Sequence, residues 1–208
     1  MLHKDIRPSQ AVSGQTRAET ENTVAFDEAM PDAKLFIYEY DKSNASDLYA
    51  IEAAKKFCAL RFEVLPTGVI RDGRGKPFFK DSPLFLSISH SAEYIAVAVS
   101  RVEVGVDVQR HRKCHEGSIS RRFFHFEEAV FISRNPTAFF DVWAAKESYV
   151  KYTGEGIVSG FRNFSVVGAE GIKDSVGGAY LSLLSFRPGY SLALTAKNRV
   201  KIAIHEEF

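Results

Sequence analysis

The rhythm of hydrophobic and polar positions changes several times along the chain. After a polar, irregular start, residues 35–40 (LFIYEY) read as a first strand, entered at Lys34. Residues 47–60 (DLYAIEAAKKFCAL) space Leu48, Ile51, Ala54 and Phe57 or Cys58 at helical intervals, with Asp47 placed to cap the helix. Residues 66–77 are dense in turn formers and read as a loop. Residues 84–88 and 94–99 read as two strands joined by a turn at 89–93. Over 102–108 the alternation is strict. It sets Val102, Val104, Val106 and Val108 on one face, and Glu103, Gly105, Asp107 and Gln109 on the other. A short helix is predicted over 123–133. A longer one over 137–152 has Pro136 at its start and Gly154 at its stop. The remainder alternates strands and turns.

The segment YIAVAVS at 94–100 is echoed by YSLALTA at 190–196. Each is followed by a polar turn and a second alternating strand. Either two unrelated hairpins share a pattern, or the chain holds two similar α+β units that divide near residue 104. The second copy carries no carboxylate matching Asp107, so only the first hairpin would carry chemistry.

Composition narrows the function classes. The 208 residues are 45% hydrophobic and 25% charged, which is ordinary for a globular chain and excludes wholesale disorder and a coiled coil. With 27 Lys and Arg against 26 Asp and Glu the net charge is +1, so no broad basic surface for nucleic acid is expected. The 17 Phe point to bulky packing between layers. Two cysteines, Cys58 and Cys114, allow at most one disulfide and fit a reducing compartment. No run approaches the ~18 apolar residues of a membrane span, and no signal-peptide core precedes residue 33. A soluble, cytoplasmic protein is expected.

Four features could carry chemistry. Asp107 lies in a valine-rich strand, where a buried carboxylate must be paired, hydrogen-bonded or metal-bound, unless the strand end emerges into water. In the helix WAAKESYVK, Glu147 and Lys151 are four apart, the spacing of an ordinary ion pair. The same carboxylate bracketed by Lys146 and Lys151 could also hold a divalent cation beside phosphate oxygens. Ser89-His90-Ser91 is either an anion cradle or an exposed hairpin turn. Gly75-Lys76-Pro77 presents Lys76 in a fixed place, without the pattern of a P-loop.

Taken in order, GKPFF, SISHS, VGVDVQ, RRFFHFEE and WAAKESYVKYTGEGI resemble the 4′-phosphopantetheinyl transferase superfamily, and most closely its Sfp-type, single-chain branch. The resemblance runs from Gly75 to Ile157. It implies an α+β fold built as a pseudo-twofold pair of similar halves, each a small, mostly antiparallel sheet packed with a helix. The halves would be residues 34–103 and 104–208, after an irregular extension over 1–33. It implies transfer of the 4′-phosphopantetheine arm of coenzyme A to a serine of an apo carrier protein, with release of adenosine 3′,5′-bisphosphate. Asp107 and Glu147 would be ligands of Mg²⁺. Lys146 and Lys151 would contact the phosphates, and Lys76, Ser89 and His90 the adenosine end. Glu128 or Glu147 would deprotonate the carrier serine, with Lys151 assisting at the reacting phosphate. Lys55, Lys56 and Arg61 stand near the position of a family arginine that meets phosphate.

Two positions depart from the family pattern. Gln109 replaces a common glutamate, so its amide oxygen or a water would take that place at the metal. Ser87 replaces a common asparagine. The expected partners are coenzyme A and an acidic carrier; Arg110, Arg112, Lys113, Arg121 and Arg122 either receive that carrier or belong to a solvated, charged loop. No nucleic acid, no membrane and a monomer are expected. The carboxamide at 109 keeps a second reading in view, a non-catalytic binder of coenzyme A or of a carrier protein.

Overall fold

A computed structural model describes residues 33–59, 64–156 and 160–207. Two four-stranded sheets pack face to face, and each carries one long helix on its outer side. The first sheet holds β1 (Ala33–Glu39), β4 (Phe85–Ser91), β5 (Tyr94–Ser100) and β12 (Ile202–Glu207), in the order β12-β1-β5-β4. The second holds β6 (Val104–Arg110), β9 (Ser175–Val176), β10 (Ala179–Leu184) and β11 (Tyr190–Ala196), in the order β6-β11-β10-β9. Every pairing in them is antiparallel except that of β1 with β12. The α+β class read from the sequence, with small antiparallel sheets packed against helices, is the fold the chain adopts.

Side-chain size sorts the layers. On β1 and β5 the residues Phe36, Tyr38, Ile95, Val97 and Val99 face helix α1 (Ser46–Ala59). Their neighbours Leu35, Ile37, Ala96 and Ala98 turn inward and meet Val104, Val106 and Val108 of β6 and Leu192 and Leu194 of β11. The predicted valine face of β6 is therefore the inter-sheet core, although the strand starts at Val104 and Val102 lies in the turn before it. The other face of the second sheet meets helix α4 (Phe139–Thr153), with Gly105, Ala193, Ser191 and Thr195 beneath it. These are small side chains, and they let the helix come very close. A Cβ added at Gly105 would lie 2.1 Å from the Ser148 carbonyl oxygen and 2.3 Å from the Tyr152 nitrogen. The missing side chain at Gly105 leaves room for a close neighbour, and that neighbour is the backbone of α4.

The edges of the two sheets meet where β4 runs beside β6. Ser87 Oγ accepts from the Val106 N–H (3.0 Å) and Ser91 Oγ from the Arg110 N–H (3.0 Å). Serine side chains thus satisfy edge amides that no strand pairs. This corrects the expected turn at 89–93. Strand β4 continues through Ser91, and a two-residue turn at Ala92-Glu93, with Ala92 at φ +54°, returns the chain.

Other boundaries differ for identifiable reasons. The expected loop at 66–77 contains most of a hairpin of β2 (Gly68–Arg71) and β3 (Pro77–Lys80). The buried stripe of α1 is Ala50, Ala53, Ala54, Phe57 and Cys58, and Leu48 is left exposed, because the stripe keeps helical spacing from Ala50. The short helix predicted over 123–133 is α3 (Phe126–Arg134), and a second helix, α2 (Glu116–Phe123), which the sequence reading does not foresee, precedes it. Between them Phe124 turns into the core against Phe139, and His125 with Glu128 forms a capping box for α3. Helix α4 ends at Gly154 in the left-handed conformation, φ +71°, as its sequence implies. Two short strands, β7 (Val167–Gly168) and β8 (Gly171–Ile172), follow. Among the described residues no helix is long and apolar enough to cross a membrane, and neither Cys58 nor Cys114 is in a disulfide.

Gly105→Ala forces α4 off β6. It is expected to cost about 3 kcal/mol or more, at the upper end of overpacking penalties, read as a lowered urea midpoint. An unchanged midpoint would show that the helix does not need this approach.

Candidate active site

The contact at Gly105 brings one turn of α4 against the middle of β6, and it does so beside Asp107. Asp107 is 4% exposed. Its Oδ1 accepts from Ser89 Oγ at 2.7 Å and from Lys151 Nζ at 2.8 Å. Its Oδ2 is buried with no hydrogen-bond partner. Glu147, one turn before Lys151 on α4, is 6% exposed. Burial, and then the nearby Asp107 carboxylate, push the Glu147 carboxyl from its ordinary 4.5 up to about 7, against the pull of Lys151. Ser89, Asp107, Glu147 and Lys151 thus form one polar cluster drawn from three elements. His90 lies beside it, stacked on Tyr40 with ring centroids 4.7 Å apart. Burial first, then Lys151 and Lys42, hold His90 below the usual imidazole range, so it is neutral at pH 7.

A cavity of about 320 Å³ opens on this cluster, lined by Glu147 and Lys151 on one side and by Arg74, Gly75 and Lys76 of the β2–β3 turn on the other. Lys76 Nζ donates to the Tyr152 carbonyl (2.7 Å) and pairs with Glu103 (3.1 Å), so it fastens the hairpin to the end of α4. Arg74 is not singled out by the sequence, and the edge role of Ser87 and Ser91, both named there for other reasons, is not either. The S-x-S-x-S spacing, which puts three hydroxyls on one strand face, was the signal for the serines.

The donor set suits a hard divalent cation. An unpartnered buried carboxylate oxygen beside a second carboxylate offers oxygen ligands only, and Mg²⁺ takes one or two such groups with waters and phosphate oxygens. Among the described residues no cluster of three or more His, Cys, Asp and Glu exists, so acidic ligands would number two. Gln109 shares the α4-facing side of β6. Its amide donates to the Arg110 carbonyl (3.3 Å), and it lines a separate hollow with Arg112, Phe140 and Trp143.

Of the expected site residues, Lys146, Glu128 and Lys55 lie away from the cavity, and Gln109, expected at the metal, faces the separate hollow. Lys146 and Glu128 are both 0% exposed and pair with one another at 2.8 Å. Glu128 also accepts from the Val166 and His125 N–H groups, and Lys146 also donates to the Phe164 carbonyl, with its ammonium 3.9 Å from the Phe164 ring centroid. One residue earlier than Glu147 on a helix is about 100° round it, which turns Lys146 into the aromatic core and away from the cavity. Glu128 in turn is fully buried, with its partners in the core, and does not line the cavity. Burial pushes the Glu128 carboxyl up and the Lys146 amine down to about 8, while their mutual attraction opposes both shifts. The pair joins α3, α4 and the 164–166 segment. Lys55 is exposed on α1, 3.8 Å from Glu52, and does not line the cavity; Arg61 lies outside the described residues.

Comparison with known proteins bears on the same region. A family model described as the 4′-phosphopantetheinyl transferase superfamily matches residues 103–204, which include Asp107, Glu147 and Lys151. The 4′-phosphopantetheinyl transferase gsp of Aneurinibacillus migulanus is 34% identical over 95 residues, 43% of this chain and 39% of that protein. The 4′-phosphopantetheinyl transferase psf-1 of Bacillus pumilus is 28% identical over 138 residues, 61% of this chain and 59% of that protein. The 4′-phosphopantetheinyl transferase Sfp of Bacillus subtilis is 29% identical over 135 residues, 59% of each chain. The chain thus spans 39% to 59% of the length of these relatives.

Two outcomes follow from the buried charges. Because the Glu147 pKa is raised on folding, its stabilising share is full below about 4.5 and lost as pH rises through about 7. In metal-free buffer Glu147→Gln should therefore melt above the wild type at pH 8, with the gap closing towards pH 5. Roughly 2–4 °C are expected per kcal/mol in a chain of this size; equal melting at pH 8 would refute the buried repulsion. Lys146→Ala, which strands the Glu128 carboxylate, should cost about 3–5 kcal/mol in chemical denaturation. A loss under about 1 kcal/mol would mean that the pair does not hold these elements.

Proposed function

We propose, from the match of residues 103–204 to the 4′-phosphopantetheinyl transferase superfamily, that the chain transfers the 4′-phosphopantetheine arm of coenzyme A to a serine of an apo carrier protein. The observation that carries the reading is the Asp107 carboxylate. It is buried, held by Ser89 and Lys151 through one oxygen, and left with a free second oxygen next to Glu147. Such an arrangement is costly unless a cation completes it.

Asp107 and Glu147 would hold Mg²⁺, which when bound supplies positive charge to the diphosphate of coenzyme A. Lys151, between Asp107 and the cavity, orients a phosphate oxygen and offsets charge that grows on the leaving group. The carrier serine oxygen forms a bond to the phosphorus that bears pantetheine. The bond from that phosphorus to the bridging oxygen breaks, and adenosine 3′,5′-bisphosphate leaves with the electron pair. Glu147 takes the serine proton; it is the remaining candidate, since Glu128 is sealed in the core. Ser89 keeps Asp107 in place, and neutral His90 offers one ring nitrogen as donor to the nucleotide. The two cysteines, neither in a disulfide, suit the cytoplasm.

Incubation with coenzyme A, Mg²⁺ and a panel of apo carriers should add one phosphopantetheine mass to a carrier, read by mass spectrometry. Asp107→Ala should abolish the gain, by at least ~100-fold for loss of a group that positions the charge-stabilising centre. Binding of coenzyme A without transfer to any carrier would instead favour a non-catalytic binder, the reading that the carboxamide of Gln109 keeps in view.

A further inference from the structure

We propose that His111, held by Asp141 through Ser191, is a positioning residue: it fixes the spacing of β6 and α4 at the hollow lined by Gln109 and Trp143, and so sets how the substrate is presented for transfer. The second half of this assignment rests on the coenzyme A reading above.

Three rungs join β6 to α4. Asp107 and Glu147 form the first, in the polar cluster. Gln109 and Trp143 form the second, as walls of one hollow. His111 and Phe140 form the third, with their rings stacked 4.8 Å apart and 10° from parallel. Two residues along a strand advance about 7 Å, and three or four along a helix about 5–6 Å, so the rungs follow one another down the seam.

His111 is exposed, yet it is held from several sides. Its backbone N–H donates to the Gly189 carbonyl (2.7 Å), and its Nε2 meets Ser191 Oγ (2.8 Å). Ser191 is 3% exposed and donates to Asp141 Oδ1 at 2.5 Å. The serine oxygen is therefore left to accept, and the proton between it and the ring belongs to His111 Nε2. Nε2 keeps that proton whether the ring is neutral or charged, so the bond survives on both sides of the imidazole titration. Asp141 stands in the first turn of α4, where its charge complements the helix dipole. The relay thus ties the end of β6 and the start of β11 to the start of α4. The Gly105 approach and the Ser148–Thr195 bond of 2.8 Å fix the seam about two turns further along the helix. The relay fixes it where the hollow opens.

The position of the hollow gives this tie its consequence. The hollow, about 250 Å³, lies towards the amino end of α4, and the cavity lined by Lys151 and Gly154 lies towards its carboxyl end. The Asp107–Glu147 cluster stands between them. A linear ligand whose diphosphate meets that cluster extends to both sides of it. A change in the width of the hollow shifts the portion on that side and, with it, the reacting phosphorus. A misplacement of about 1 Å caused far from the chemistry can cost ~100-fold in rate.

Trp143 is the single tryptophan of the chain, so its fluorescence reports the hollow directly. In the full chain, below its melting range, His111→Ala and Ser191→Ala should each raise acrylamide quenching of Trp143. His111→Gln, whose amide can donate from the same place, should restore the wild-type quenching. With coenzyme A, Mg²⁺ and an apo carrier, both alanine variants should lose about tenfold or more in kcat, while the Kd for adenosine 3′,5′-bisphosphate, which lacks the pantetheine arm, stays within about twofold of wild type. His111→Gln should recover kcat to within about threefold. A merely structural role would weaken nucleotide binding and kcat together. That result overturns the assignment, as does unchanged quenching in the alanine variants or a glutamine variant no better than alanine. A wild type that transfers to no carrier overturns the transferase reading, and the Trp143 comparison then decides the relay by itself.

Discussion

Gly105 sets the distance between β6 and α4, and the site depends on that distance. A side chain there would overlap the backbone of the helix, so the sequence supplies none. The approach carries Lys151 to 2.8 Å from a carboxylate on the strand and holds Glu147 within the repulsive field of Asp107. The surrounding small residues, Ala193, Ser191 and Thr195 on β11 and Ala144, Ala145 and Ser148 on α4, serve the same close packing. Ser148 and Thr195 even share a hydrogen bond of 2.8 Å across the seam. Nearly all the large side chains of these sheets lie instead on faces where there is room for them.

That packing gives neighbouring residues of one helix opposite fates. Lys146 and Glu147 adjoin in sequence, yet one enters an aromatic core with Glu128 and the other borders a cavity. The polarity of the residues does not distinguish them, because both are charged and both are buried. What distinguishes them is the element each meets: α3 with the 164–166 segment for Lys146, β6 for Glu147. The helix therefore carries an inward ion pair that ties three segments together and an outward pair of groups left available for chemistry. The first gives the second a rigid support.

Much of this was legible in the sequence. The alternation of β6 placed Asp107 and Gly105 on the face opposite the valines, and the stop at Gly154 ended α4 correctly. Motif order carried the family resemblance, on residues whose spacing alone would also suit a plain hairpin and a surface helix. Partners distant in sequence were not legible. Glu128 and Lys146 are 18 residues apart, and nothing local says that each would be sealed by the other. The serine seam was hidden for a related reason. Alternating serines on a strand read as polar turn chemistry until the edge of another sheet supplies amides for them to accept from. The break at Phe124 and His125 was missed because a helix-forming run gives no warning that tertiary packing will claim its phenylalanine.

The electrostatics of the cluster show why a site of this kind is held together so firmly elsewhere. Asp107 and Glu147 repel one another in a setting with little water, and one lysine shared with Asp107 does not cancel both charges. A fold that kept such a pair only for stability would do better with a serine or an amide at either position. The cost makes sense when a divalent cation and an anionic ligand complete the cluster, since each then removes part of the repulsion that the other leaves. On this view the two carboxylates place the cluster under electrostatic load, and the inter-sheet valine core, the Glu128–Lys146 pair and the Lys76 fastening resist it from three sides. Carboxylates kept apart from water and short of partners are thus the part of the chain least explained by folding and best explained by function.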